Sequence, residues 1–147
     1  MRGFVAFTAY GEAKGAGSKK GFVNPKNGRV IITDDSGKAG KNWRNAVADA
    51  ARENYQGELL RGPLKVTMTF YRPRPKGHYR SGKHSDLLRP AAPKHPTTRP
   101  DVLKLARAIE DCLTGVLWHD DSQIVSEHLR KHYGEPARVV VTVQEEL

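Results

Sequence analysis

The sequence predicts a small α/β (α+β) domain, a mixed β-sheet carrying two main helices in the order β-α-β-α-β-β, and three patterns predict it. Leu64, Val66, Met68 and Phe70 alternate with Lys65, Thr67, Thr69 and Tyr71, the period of a strand with one face on a core. Two segments, about 39–55 and 102–114, repeat apolar residues every three or four positions, the period of a helix. Near the end of the chain Val139, Val141 and Val143 alternate against Val140 and Thr142.

Each element follows in order. Residues 2–10 alternate in part and run into a Gly- and Lys-rich stretch, Gly11 to Gly21, which reads as a first strand and an open loop. A short apolar run, Arg29 to Thr33, leads through the turn residues Asp34-Asp35-Ser36-Gly37 into the first helix. That helix places Trp43, Ala46, Val47, Ala50, Ala51 and Tyr55 on one face, and Gly57 closes it. The second begins at Pro100-Asp101, where Asp101 stands in the N-cap position; it buries Val102, Leu105, Ala106, Ile109, Cys112 and Leu113 and ends at Gly115. Segments 122–132 and 137–143, split by Tyr133-Gly134-Glu135-Pro136, read as an antiparallel pair of strands. No composition break divides the 147 residues, so 1–147 is expected to form one domain.

Charge narrows the function. The formal net charge is +9, which points to a polyanionic partner. The single Cys112 cannot close an internal disulfide, which excludes a disulfide scaffold and suits a reducing compartment. No apolar run approaches the ~18 residues of a membrane span, and Met1-Arg2-Gly3-Phe4 does not open a signal peptide, so a cytoplasmic protein is expected.

Most of the excess charge sits in one place. Between Arg72 and Pro100 lie six prolines and eight basic residues against the single acid Asp86, with no apolar period. Such a stretch is either a solvated linker or a functional arm. His78, Tyr79 and His84 interleave with the cations and offer stacking surfaces beside phosphate contacts, which favours an arm that binds DNA.

A cationic surface that holds phosphodiesters can hydrolyse them when carboxylates position a hard divalent cation such as Mg²⁺. The candidates are Asp101, Glu110-Asp111 and Asp120-Asp121. Each has a plainer role: Asp101 as a helix cap, Asp120-Asp121 as a turn, and Glu110 as an ion-pair partner of Arg107 three residues before it. A connector of six residues reaches at most about 20 Å, so Asp121 returns to Asp101 only if the chain doubles back along the helix. Otherwise an acid from a second subunit completes the site. His128 and His132 fall four apart in a strand, too far along it for a metal pair. Cys112 packs as a small hydrophobe, and Trp118 anchors the core in preference to contacting DNA.

Thr98-Arg99-Pro100-Asp101, and some twenty residues later Trp118-His119-Asp120-Asp121-Ser122-Gln123-Ile124-Val125, resemble the core of the RusA family of Holliday-junction resolvases. The resemblance implies a Mg²⁺-dependent endonuclease, with Mn²⁺ a possible substitute, acting as a homodimer on branched DNA in a bacterial cell or phage-infected host. It implies that Asp101 and Asp121 hold the metal, with Asp120 beside them, and that Arg107 stands where the family has a lysine at the scissile phosphate. The family pattern Asp-x-Asp-Asn is here Asp101-Val102-Leu103-Lys104, so one carboxylate is missing, and Glu110 or Asp111 is expected to restore acidic character. Arg72, Arg74, Lys76, Arg80, Lys83, Arg99 and Lys104 are the expected DNA contacts. A chain that has lost cleavage with that carboxylate, and only binds junctions, is the competing expectation.

Overall fold

The structure, a computed structural model, describes residues 3–16, 19–34 and 37–146; the expectations touching residues 2, 17–18 and 35–36 lie outside the described residues. Strands β1 (Phe4–Tyr10), β4 (Leu64–Arg72), β5 (Ile124–Tyr133) and β6 (Arg138–Glu145) form one sheet in the order β1-β6-β4-β5. Only the β4–β5 pair is parallel. Its crossover contains the arm and helix α2 (Val102–Leu113), as a parallel connection requires.

The valine alternation of β6 explains its central position. Three rows cross the sheet on one face: Val5-Val143-Val66, Phe7-Val141-Met68 and Ala9-Val139-Phe70. All nine are buried. Helices α1 (Gly37–Asn54) and α2 cover this face, α1 against β1 and α2 against β5, and they touch each other. Trp43, Val47 and Ala51 of α1 meet Leu105, Ala106, Ile109 and Leu113 of α2 in the same core. Each fully buried large apolar side chain contributes about 1.5–3 kcal/mol.

The structure corrects two expectations. The stretch Gly11–Gly21 is not wholly an open loop: β2 (Lys19–Val23) pairs antiparallel with β3 (Val30–Asp34) in a separate ribbon. Its turn is held by Asn24, whose Oδ1 accepts from the Lys26 N–H and whose carbonyl accepts from the Gly28 N–H. Asn27-Gly28 between two apolar runs is a hairpin signal. Second, β5 and β6 do not pair with each other, because β4 lies between them and bonds to both. The connection must therefore cross the end of β4. Gly134 makes this crossing, donating to the Arg72 carbonyl at 3.0 Å, and any Cβ there would stand 2.8 Å from the Tyr71 ring. Among the described residues no helix is long and apolar enough to cross a membrane.

Candidate functional site

Helix α2 owes its position to its own amphipathicity. Leu105, Ala106, Ala108, Ile109 and Leu113 are buried, while Leu103, Lys104, Arg107 and Asp111 face solvent. The register of β5 fixes the direction of the helix: Glu127, Leu129 and Lys131 lie opposite the inward residues Val66, Met68 and Phe70. Lys131 reaches the chain just before α2, Leu129 packs on the core, and Glu127 meets Glu110 near the other end. So α2 runs antiparallel to β5. Asp101 stands at one end of α2 and Asp121 beyond the other, separated by the ~18 Å rise of a 12-residue helix.

Asp101 occupies the N-cap position with extended backbone, yet its side chain makes no capping hydrogen bond. The expected cap role is therefore not realised, and an exposed carboxylate is left at a helix N-terminus, where an anion is favoured. Its backbone approach is held from outside the helix. Lys131 Nζ donates to the Thr98 and Pro100 carbonyls, each at 3.0 Å, and the Ala16 N–H donates to the Lys104 carbonyl at 2.9 Å. Leu103, where the family pattern has its second aspartate, is 66% exposed.

At the opposite end the acids have partners. Glu110 does not pair with Arg107; its acidic neighbour is instead Glu127. Burial first, then the neighbouring Glu127, Asp121 and Asp111 charges, push its pKa up to about 8. The adjacent aspartates Asp120 and Asp121 part company. Asp120 accepts from the Ser122 N–H at 2.9 Å, which holds its carboxyl below the usual range, and it caps the short 3-10 turn Asp121–Gln123. For Asp121 the balance is opposite: the Asp120 carboxyl beside it raises its pKa.

Gln123 explains why the turn is rigid. Its Oε1 accepts from the His119 and Asp120 N–H groups, and its Nε2 donates to the Leu60 and Gly62 carbonyls, all between 2.9 and 3.0 Å. Trp118, fully buried as expected, donates from Nε1 to Thr114 Oγ1 at 3.0 Å, and Thr114 donates to the Glu110 carbonyl. Gly115 begins the connector at φ +84°, a backbone region that favours glycine. The half-buried Cys112 thiol donates to the Ile109 carbonyl, and burial pushes its pKa up to about 12, so it is inert at neutral pH.

The arm is irregular but not a solvated linker. Residues 78–80 and 87–89 pair through Arg80 N–H to Leu87 and Arg89 N–H to His78, both at 2.8 Å. Arg74 donates to the Pro93 carbonyl at 2.7 Å and lies 4.3 Å from the Tyr133 ring centroid. Arg72 donates to the Ala13 carbonyl and pairs with Glu12 at 3.6 Å. Arg72 and Arg74 thus staple the fold, whereas Lys76, Arg80, Lys83, Arg99 and Lys104 are exposed. His128 and His132 sit on the outer face of β5, against Arg130 and Tyr71 respectively.

Among the predicted site residues, then, Glu110, Asp111 and Asp121 share one electrostatic neighbourhood, and Asp101 lies away from it. Glu127, Lys131 and Gln123 were not anticipated. Glu127 was detectable in principle, because it shares a strand face with Leu129 two residues later. All-oxygen carboxylate donors suit a hard divalent cation, and an acid raised by burial and by acidic neighbours is in an environment such a cation relieves. Among the described residues of a single chain, no three acids, histidines or cysteines come close enough to form a complete metal site.

Comparison with known proteins agrees with these observations. The family described as Endodeoxyribonuclease RusA matches residues 15–144. The chain is also 32% identical over 146 residues to a Bacillus subtilis (strain 168) protein named Uncharacterized protein YqaN, with 96% of each chain covered. The chain therefore belongs to the RusA endodeoxyribonuclease family, nucleases that act on branched DNA and generally depend on a divalent metal.

Proposed function

We propose that this chain is a single-domain, Mg²⁺-dependent endonuclease that resolves four-way DNA junctions by paired, symmetric nicks, working as a homodimer in the cytoplasm of a bacterial cell or phage-infected host. A two-fold dimer suits a substrate of approximate two-fold symmetry, since each copy then meets an equivalent strand. The observation that supports the reading is a half-buried Glu110 whose carboxyl is acted on by the charges of Glu127, Asp121 and Asp111, in a chain of net charge +9. Anions crowded together at a helix C-terminal half, where the macrodipole is negative, call for a cation.

Asp121 and Glu110, with Glu127 behind them, are one half of each metal site. Asp101, at the far end of α2, is the half supplied by the second copy. These carboxylates would hold a Mg²⁺, and the chemistry it would supply there is activation of water and neutralisation of charge at the phosphate. The chain's own work is positional. Gln123 fixes the turn carrying Asp121, Lys131 fixes the backbone leading to Asp101, and Arg107 and Lys104 offer cations to the phosphate backbone. Asp120 serves as the cap that orients Asp121. Exposed Lys76, Arg80, Lys83 and Arg99 hold the DNA arms, so affinity falls steeply with salt.

A synthetic four-way junction tests this directly. The expected result is paired nicks with Mg²⁺ or Mn²⁺, lost with chelator and in Asp121→Asn. An unchanged metal-dependent rate in Glu110→Gln would remove Glu110 from the site. The apolar, exposed Leu103 favours a second reading, a junction-binding protein without cleavage. Retardation of the junction with no product at any divalent-metal concentration would establish it instead.

A further inference from the structure

The arm encloses a concavity of about 700 Å³ lined by Lys76, Tyr79, Arg80, Ser81, Ser85 and Arg89, with no acid on its wall. Two of its arginines are aimed in advance. Arg80 Nε donates to the Leu88 carbonyl at 3.3 Å and Arg89 Nε to the Tyr79 carbonyl at 2.9 Å, so each guanidinium is tethered by one nitrogen. Their Nη groups make no hydrogen bond to the described residues. Two oriented forks and a lysine around one hollow repel each other unless an anion sits between them, and the planar fork matches phosphate oxygens. The hollow is larger than one phosphate needs, and the half-buried Tyr79 adds an aromatic wall.

We propose that this hollow binds one unstacked nucleotide, the phosphate on Arg80 and Arg89 and the base against Tyr79, distinct from the carboxylate site on α2 and β5. The proposal rests on the junction reading for its source of that nucleotide. In duplex DNA the base must first be pulled from its stack, whereas at a branch point stacking is already interrupted and extrusion is cheaper. The pocket therefore adds a preference for branched over continuous DNA, beyond the general pull of a basic surface.

The test uses the full, isotope-labelled chain without metal, titrated with thymidine 5′-monophosphate, thymidine or inorganic phosphate while backbone amide resonances are followed. The monophosphate is expected to shift amides of residues 76–89 and to bind about tenfold more tightly than phosphate, the size of a single stacking contact. Tyr79→Leu should reduce the monophosphate to the level of phosphate, and Arg80→Lys should weaken both ligands. Amides outside the arm report whether either variant still folds. Equal binding of monophosphate and phosphate, or shifts confined to other parts of the chain, overturns the pocket.

A second arm identifies the source. A 5-iodouracil placed at a branch point should photocrosslink to the arm of the wild-type chain, much less with Tyr79→Leu, and not from a duplex of the same sequence. Monophosphate binding with no crosslink from the branch point would mean a free nucleotide is the ligand and overturns the DNA assignment. Junction nicking measured on the same preparation separates the two proposals. Nicking without nucleotide binding removes only the pocket, and nucleotide binding without junction retention removes only the junction reading.

Discussion

The two ends of α2 carry acids in opposite circumstances. At the N-terminus Asp101 is exposed, makes no capping bond, and lies near Lys104 and the Lys131 clamp, where the helix dipole favours an anion. At the C-terminal half, Glu110 is pressed against Glu127 in the field of Asp121 and Asp111, and the dipole adds to the repulsion. One end offers a ready ligand with no partner acid, the other a set of acids in need of a cation. Such ends complement each other between copies of the chain better than along one helix, and the predictions below test that difference.

The largest effect is expected from the ligands themselves. Asp101→Asn and Asp121→Asn should each lower junction nicking on the order of 10³-fold, the loss of several kcal/mol of charge stabilisation. Mixing the two inactive variants then discriminates between arrangements. In a shared site a mixed dimer keeps one intact centre, so single nicks should return; a site built within one chain would leave the mixture inactive.

The next effect concerns the scaffold of the acidic end. Gln123→Ala removes four hydrogen bonds from the turn carrying Asp121 and leaves the carbonyls of Leu60 and Gly62 without that donor. A stability loss of about 2–3 kcal/mol is expected by chemical denaturation, with nicking falling as well. Lys131→Met should act at the other end, freeing the Thr98–Pro100 backbone and reducing nicking with a smaller loss of stability.

A pH series probes the acid cluster without DNA. Folding raises the Glu110 pKa from its ordinary 4.5 to about 8, so between these values the folded chain keeps a proton that the unfolded chain has released. Metal-free stability should therefore fall as pH rises through that window and level off above it. Melting temperatures for wild type and Glu110→Gln should show the slope reduced in the variant, and a slope unaltered by the substitution would detach Glu110 from it. The smallest effect belongs to the arm. Lys83→Ala should lower the salt slope of junction binding by about one phosphate contact and leave stability unchanged.

Much of this molecule can be read from local pattern. The period-two strands, the two amphipathic helices, the burial of Trp118 and the concentration of charge between Arg72 and Pro100 all depend on neighbours a few residues apart. The Trp-His-Asp-Asp-Ser-Gln stretch was recognisable for the same reason: Asp120, Ser122 and Gln123 build their turn from bonds spanning two to four residues. Pairing over long range was not legible. Neither β5 nor β6 carries any local mark that β4 will separate them, and the wrong hairpin followed from their short connection.

That pairing in turn set the chemistry. Once β5 lies beside β4, its inward face presents Glu127 and Lys131 to α2 and orients the helix against the strand. Glu110 thereby gains a carboxyl neighbour in place of Arg107, and Asp101 and Asp121 come to lie at opposite ends. Arg72 and Arg74, indistinguishable by type from the other arm cations, become staples because backbone carbonyls far along the chain come within their reach. Periodicity fixes which face of an element is apolar, and that is a local property. Which charged groups become neighbours depends on the docking of whole elements, where the burial of apolar surface outweighs any single ionic contact.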